Sequence, residues 1–188
     1  MKATLLARQA VRPWVEKCEG SILIGVSGGA DSLALAIATH LERQNHEIIP
    51  VIIDHGLQEG SADVASKTAQ DLLSLGFTNV EIIKVNVEIT DGLEASARRA
   101  RYQAFETIAE KYQSSTFLLG HTENDLAESV LLGLARGSGT RSLSGIAEVN
   151  GIFIRPFLTI TRSTTQEVCR ENSLTPWNDP HNEDRQFA

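Results

Sequence analysis

Residues 27–32 read S-G-G-A-D-S and follow the mostly aliphatic run I-L-I-G-V at 22–26. A buried strand, a glycine turn and the start of a helix would expose free backbone N–H groups. The positive end of the helix dipole would point the same way, which makes an anion site. Gly28 and Gly29 allow positive φ and let a phosphate come close to the backbone. Ser27 and Ser32 add hydroxyl donors beside Ala30. Asp31 is the odd member, because a carboxylate repels a polyphosphate unless a cation lies between them. The pattern therefore predicts Mg²⁺ at Asp31. It is neither a Walker A loop, which ends in Gly-Lys-Ser/Thr, nor G-x-G-x-x-G.

His121, Asp125 and Glu128 are spaced four and three apart, which puts them on one face of a helix. Together they could hold Mg²⁺, with Asp125 as the second metal carboxylate, or take a proton from an attacking amine. Glu123 and Asn124 would face solvent. Asp54-His55 ends an Ile/Val-rich run and reads either as an ordinary strand end or as a contact to an adenosine. Arg98 and Arg101 share a helix face that Arg99 does not. An arginine there could neutralise a departing pyrophosphate. Arg136, in A-R-G-S-G-T, could belong to a lid or an RNA contact, or simply to a helix end. Asn178-Asp179-Pro180 is a turn signal first. Cys18 and Cys169 read as structural, and His40 and His46 as surface residues near a helix end.

The elements that must position these groups alternate. Helices are expected at 3–18 (kinked or bounded at Pro13), 30–43, 61–75, 93–112, 122–134 and 163–172. Strands are expected at 22–26, 47–53, 80–87, 116–119 and, briefly, 152–154. That order implies an α/β fold, a doubly wound, mostly parallel, Rossmann-like sheet. Ser27–Ser32, Asp54-His55 and His121 each follow a strand, so all should meet at the sheet's carboxyl edge. The chain of 188 residues suits one domain. No apolar run approaches the roughly 20 residues of a membrane span, and the N-terminus lacks a signal-peptide pattern. Two distant cysteines without C-x-x-C leave the cytoplasm as the default. A net charge of −7 argues mildly against a dedicated nucleic-acid binder, though a local patch could still touch RNA.

The S-G-G-A-D-S element resembles the pyrophosphate-loop signature of the N-type ATP pyrophosphatases, whose fold is adenine nucleotide alpha hydrolase-like. Beyond the loop, D-H-G-L (54–57), E-A-S-A-R-R-A-R-Y (94–102), G-H-T-E-N-D-L-A-E-S (120–129), L-A-R-G-S-G (134–139), R-P-F-L (155–158) and W-N-D-P-H-N-E-D (177–184) are similar to the tRNA(Ile)-lysidine synthetase family, in that family's order. The resemblance implies an ATP-dependent ligase. It would adenylate the C2 oxygen of the wobble cytidine of an isoleucine tRNA (CAU anticodon), release pyrophosphate, and let the ε-amine of free lysine displace AMP. Mapped onto this chain, Ser27, Gly28, Gly29, Ala30, Asp31 and Ser32 would grip ATP and Asp31 would carry Mg²⁺. Asp54 would meet the nucleoside and Arg101 would assist adenylation. His121, Asp125 and Glu128 would lie near the base, the metal and the lysine. A homodimer is left open.

Two departures stand out. Thr122 follows His121 where the family commonly has a second histidine, and Leu126 follows Asp125 where an acidic residue is common. The family also continues into C-terminal tRNA-binding domains, so residues 1–188 read as a single catalytic domain cut short of them, able to bind ATP but holding tRNA poorly. The alternatives are another ligase of the same loop class or a non-catalytic nucleotide-binding module. Thiolases would want paired cysteines, and amidotransferase-linked synthetases an N-terminal nucleophilic one.

Overall fold

The computed structural model describes residues 1–56, 60–90, 92–135 and 145–177. Its helices are α1 (Lys2–Val15), α2 (Ala30–Glu42), α3 (Ser61–Ser74), α4 (Leu93–Lys111), α5 (Glu123–Ala135) and α6 (Arg162–Glu171). Its strands are β1 (Ile22–Val26), β2 (Ile48–Asp54), β3 (Glu81–Lys84), β4 (Phe117–Leu119), β5 (Val149–Asn150) and β6 (Phe153–Ile154). They form one sheet in the order β3-β2-β1-β4-β6-β5. Every neighbouring pair is parallel except β5 with β6.

Side-chain alternation along the central strands assigns the helices to two faces. Ile22, Ile24 and Val26 of β1, Ile48 and Ile52 of β2, and Leu118 of β4 share a core with α1, α2, α3 and α6. Leu23, Ile49, Val51, Phe117 and Leu119 point the other way, onto Phe105, Ile108 and Ala109 of α4. Gly25 belongs to that second face. A Cβ there would stand 3.0 Å from Leu119 and 3.1 Å from Phe105, so its absence lets α4 lie close on the sheet. Both faces are covered, which matches strands that read as continuous aliphatic runs.

Three details differ from the sequence expectation. β3 is an edge strand of four residues, because β2 turns away at Asp54; one further bond, Val85 N–H to Asp54 O at 2.9 Å, ends the pairing. The segment expected as one short strand is instead a hairpin, β5–β6, turning at Gly151-Ile152 with Gly151 at φ +60. Pro13 does not break α1, which ends two residues later, since in the last turn the missing N–H and ring clash are borne by one bond at most.

The topology positions the site. From β1 the chain moves outward to β2 and β3, then returns to β4 on β1's other side. The carboxyl ends of β1 and β4 are therefore neighbours at the switch point, where parallel α/β sheets open a crevice.

Candidate functional site

At the end of β1 the chain makes the anion-type turn. Gly28 sits at φ +85, and a Cβ there would fall 2.6 Å from Thr68 Oγ1, so both backbone and space demand glycine. Gly29 differs from expectation. It is the extended N-cap of α2 at φ −73, a conformation open to any residue, and any need for glycine there concerns the approach of a ligand. No side chain caps α2. Ser32 Oγ donates to Gly29 O (3.0 Å) and accepts from Ser27 N–H (3.1 Å), stapling the turn shut beneath the first-turn amides. Trp177 N–H donates to Gly28 O at 3.0 Å, which brings the chain leading to 178–188 against the same turn.

Asp31, in the first turn of α2, meets Asp125 across a shared cation. Arg162 Nη2 donates to Asp125 Oδ1 at 2.7 Å and its Nε lies 3.5 Å from Asp31 Oδ2. Thr165, fully buried, donates its hydroxyl to Asp31 Oδ1. Burial pushes the Asp31 carboxyl above its ordinary range; the Thr165 hydroxyl and Arg162 oppose this, and Asp125 adds to it. Asp31 is thus a carboxylate whose charge a cation relieves. Beneath it Cys169 donates to Ala30 O at 3.5 Å, its thiol pushed up to about 11 by burial and by Asp31, so it stays protonated and structural.

Asp125 reaches this position through a cap. Thr122 N–H and Oγ1 both donate to Asp125 Oδ2, at 2.7 and 2.8 Å, the N-cap to N3 link of a capping box. His121 therefore precedes α5 and is not helical, which corrects the reading of His121, Asp125 and Glu128 as one helix face. Threonine is a strong N-cap residue, so Thr122 starts the helix one residue after the histidine. Asp125 still faces the site. Glu128, one turn further on, is solvent-exposed and is not drawn into the pair. Asn124 is exposed, as expected, and its Oδ1 also accepts from Arg162 N–H at 2.9 Å, which locks the starts of α5 and α6 together.

Behind the pair lies a cationic wall. His121 is pushed down to about 4, first by burial and then by Arg155, with Arg98 and Arg101 adding their fields against Asp125. It is neutral at pH 7, and its Nδ1 is buried without a partner among the described residues. Arg101 is held below its ordinary range by burial, yet stays a cation at neutral pH, and its field lowers His55 as well. Arg98 lies exposed over the Tyr102 ring at 5.1 Å, while Arg99 bonds Thr90 Oγ1 at 2.6 Å and braces the entry to α4. Asp54 Oδ1 accepts from Gly56 N–H (3.0 Å) and Ser61 Oγ (2.7 Å), which hold it below the usual carboxylate range. Its bond to Ser61 ties the end of β2 to the start of α3.

Two site residues were missed in the sequence. Arg155, 4% exposed, follows β6 directly and donates to Ala147 O at 2.9 Å; its position after a strand was the available signal. Arg162 opens α6, where a cation opposes the helix dipole and so calls for an acidic partner. Arg136 and Asn178-Asp179-Pro180 lie outside the described residues.

The oxygens Asp31 Oδ2 and Asp125 Oδ1, beside an anion turn, fit a cation taken up with phosphate. Among the described residues no group of three or more His, Cys, Asp or Glu side chains could hold a metal alone. Water and phosphate oxygens would complete the shell, which suits Mg²⁺.

A turn of this kind at the switch point of a parallel sheet defines a nucleotide-binding α/β domain, and the model of the PP-loop domain matches residues 3–188. The chain belongs to the PP-loop family, whose members bind ATP. It is similar to tRNA(Ile)-lysidine synthase of Leifsonia xyli subsp. xyli, with 48% identity over 169 residues, 89% of this chain and 51% of that protein. The enzyme of the same name from Thermobifida fusca is 47% identical over 187 residues, 97% of this chain and 58% of that protein. The chain thus spans a little over half the length of these curated relatives. The U34-tRNA thiolase NcsA from Methanococcus maripaludis shares the fold at TM-score 0.76 and 16% identity, covering 95% of this chain and 67% of that one.

Proposed function

We propose that this chain is the ATP-consuming catalytic domain of a tRNA(Ile)-lysidine synthase. The observation that carries it is the pairing of Asp31 with Asp125 beside the anion turn, in a chain nearly half identical to proteins of that name. Ser27, Gly28, Gly29, Ala30 and Ser32 bind the polyphosphate through backbone N–H groups and hydroxyls. Asp31 and Asp125 would hold Mg²⁺ through the oxygens that face Arg162, Asp31 Oδ2 and Asp125 Oδ1. The ion, when bound, neutralises charge on the polyphosphate oxygens.

The C2 oxygen of the wobble cytidine, in the CAU anticodon of isoleucine tRNA, attacks the α-phosphorus and pyrophosphate leaves. Arg101 faces the charge that develops on the leaving group, where a partly buried cation is worth most. The ε-amine of lysine then attacks C2, the C2–oxygen bond breaks, AMP departs and one proton is lost. Neutral His121 can accept a hydrogen bond from the cytidine or the incoming amine at pH 7, whereas an imidazolium could not. Glu128, exposed on α5, is assigned to the lysine side of the site. Asp54, fixed by Gly56 and Ser61 at the end of β2, meets the nucleoside. Further tRNA-binding surface belongs to the part of the relatives that this chain does not span, and the cytoplasm, where tRNA is modified, is the proposed location. No helix among the described residues is long and apolar enough to cross a membrane.

Lysine incorporation into isoleucine tRNA, measured with Asp31→Asn and Asp125→Asn in the full-length form, tests this reading. Each variant should lose roughly 10–100-fold or more of the rate. Full activity in both would refute the assignment.

A further inference from the structure

Asp31 and Asp125 divide their oxygens in the same way. Asp31 Oδ1 is taken by the Thr165 hydroxyl, and Asp125 Oδ2 by the amide and hydroxyl of Thr122. The two remaining oxygens, Asp31 Oδ2 and Asp125 Oδ1, face one guanidinium, Arg162 Nε at 3.5 Å and Nη2 at 2.7 Å. The Arg162 side chain is 47% exposed and the carboxylates 23% and 25%, so the guanidinium covers the pair from the solvent side. Its backbone is tied down by its N–H, which donates to Asn124 Oδ1 at 2.9 Å. Only the side chain needs to swing for the two oxygens to be freed.

We propose that Arg162 competes with a divalent cation for Asp31 Oδ2 and Asp125 Oδ1, and thereby makes metal binding conditional on the nucleotide. The inference rests on the ATP and Mg²⁺ reading above and adds a regulating residue to it. A hydrated ion arriving alone must shed water and expel the guanidinium for two carboxylate oxygens. An ion arriving with a polyphosphate gains phosphate oxygens as well, and the displaced guanidinium gains an anion to pair with. Arg162 thus penalises the bare ion more than the ion–nucleotide complex. In linkage terms it increases the coupling between metal and nucleotide.

The experiment measures Mn²⁺ binding to nucleotide-free protein by electron paramagnetic resonance, and the affinity of α,β-methylene-ATP with and without Mg²⁺ by calorimetry. It compares the parent with Arg162→Gln, Arg162→Lys and, as a charge control on the same helix, Arg170→Gln, whose partner is Glu167. Arg162→Gln should bind bare Mn²⁺ about fivefold tighter, the scale of a partly exposed ion pair. The Mg²⁺ dependence of analogue affinity should shrink by a similar factor. Arg162→Lys should fall between, because an ammonium cannot span both oxygens as the planar fork does, and Arg170→Gln should match the parent. Unchanged or weaker Mn²⁺ binding in Arg162→Gln, or an equal gain in Arg170→Gln, overturns the proposal. Parent protein whose analogue affinity ignores Mg²⁺ overturns the metal reading with it. Should Arg162→Gln not fold, Arg162→Lys alone decides, with parent-like Mn²⁺ affinity counting against the proposal.

Discussion

His121 shows how much a neighbourhood can change a residue. Burial and the facing arginines push its pKa to about 4 from an ordinary 6.5. Between those values the unfolded chain takes up a proton at this position and the folded chain does not. Folding stability therefore falls as pH drops through that window, and is unaffected by this group above it. His121→Asn should flatten that part of the stability curve, read by urea denaturation at pH 7 and pH 4.5. An His121 ring that titrates near 6.5 by NMR would contradict the burial argument. The individual site residues were legible to different degrees. Asp31 announced itself by a carboxylate placed inside an anion-binding turn. Arg162 did not, because its partner Asp125 is 37 positions away and only the fold joins them.

Strand alternation and the glycine turn made most of the elements legible. β1, α2 and β4 follow directly from aliphatic runs and helix starts, and they carry the anion turn and His121 to one edge. Helix spacing brought Asp125 to the site for the wrong reason: the cap at Thr122 aims it there, and His121 is outside the helix. The β5–β6 hairpin was hidden because its strands are two residues each, too short for any periodicity. Gly120 was missed too. A Cβ there would lie 3.0 Å from Asp31 O and 3.1 Å from Ser32 Cα, so β4 can end against the start of α2 only without a side chain. Gly120→Ala should cost about 1–3 kcal/mol of stability, as overpacking does, and should weaken ATP binding by shifting Asp31. Parent-like stability and affinity would mean that the contact is easily relaxed.

Across the whole molecule the charge balance and the site pull in different directions. The chain carries a net −7, which opposes a phosphate backbone, while Arg98, Arg101 and Arg155 gather at the sheet's carboxyl edge. Residues 1–188 should therefore bind ATP yet hold isoleucine tRNA weakly, and tight, strongly salt-sensitive tRNA binding by residues 1–188 would contradict that. α5 adds to the picture. It buries no residue, and Leu131, Leu132 and Leu134 are 65%, 43% and 55% exposed among the described residues. The most direct test of the central claim is ATP–pyrophosphate exchange by the full-length form, with and without isoleucine tRNA. Exchange that requires the CAU-anticodon tRNA and disappears in Asp31→Asn is the predicted result. Exchange that proceeds equally without that tRNA, or survives Asp31→Asn undiminished, would contradict it.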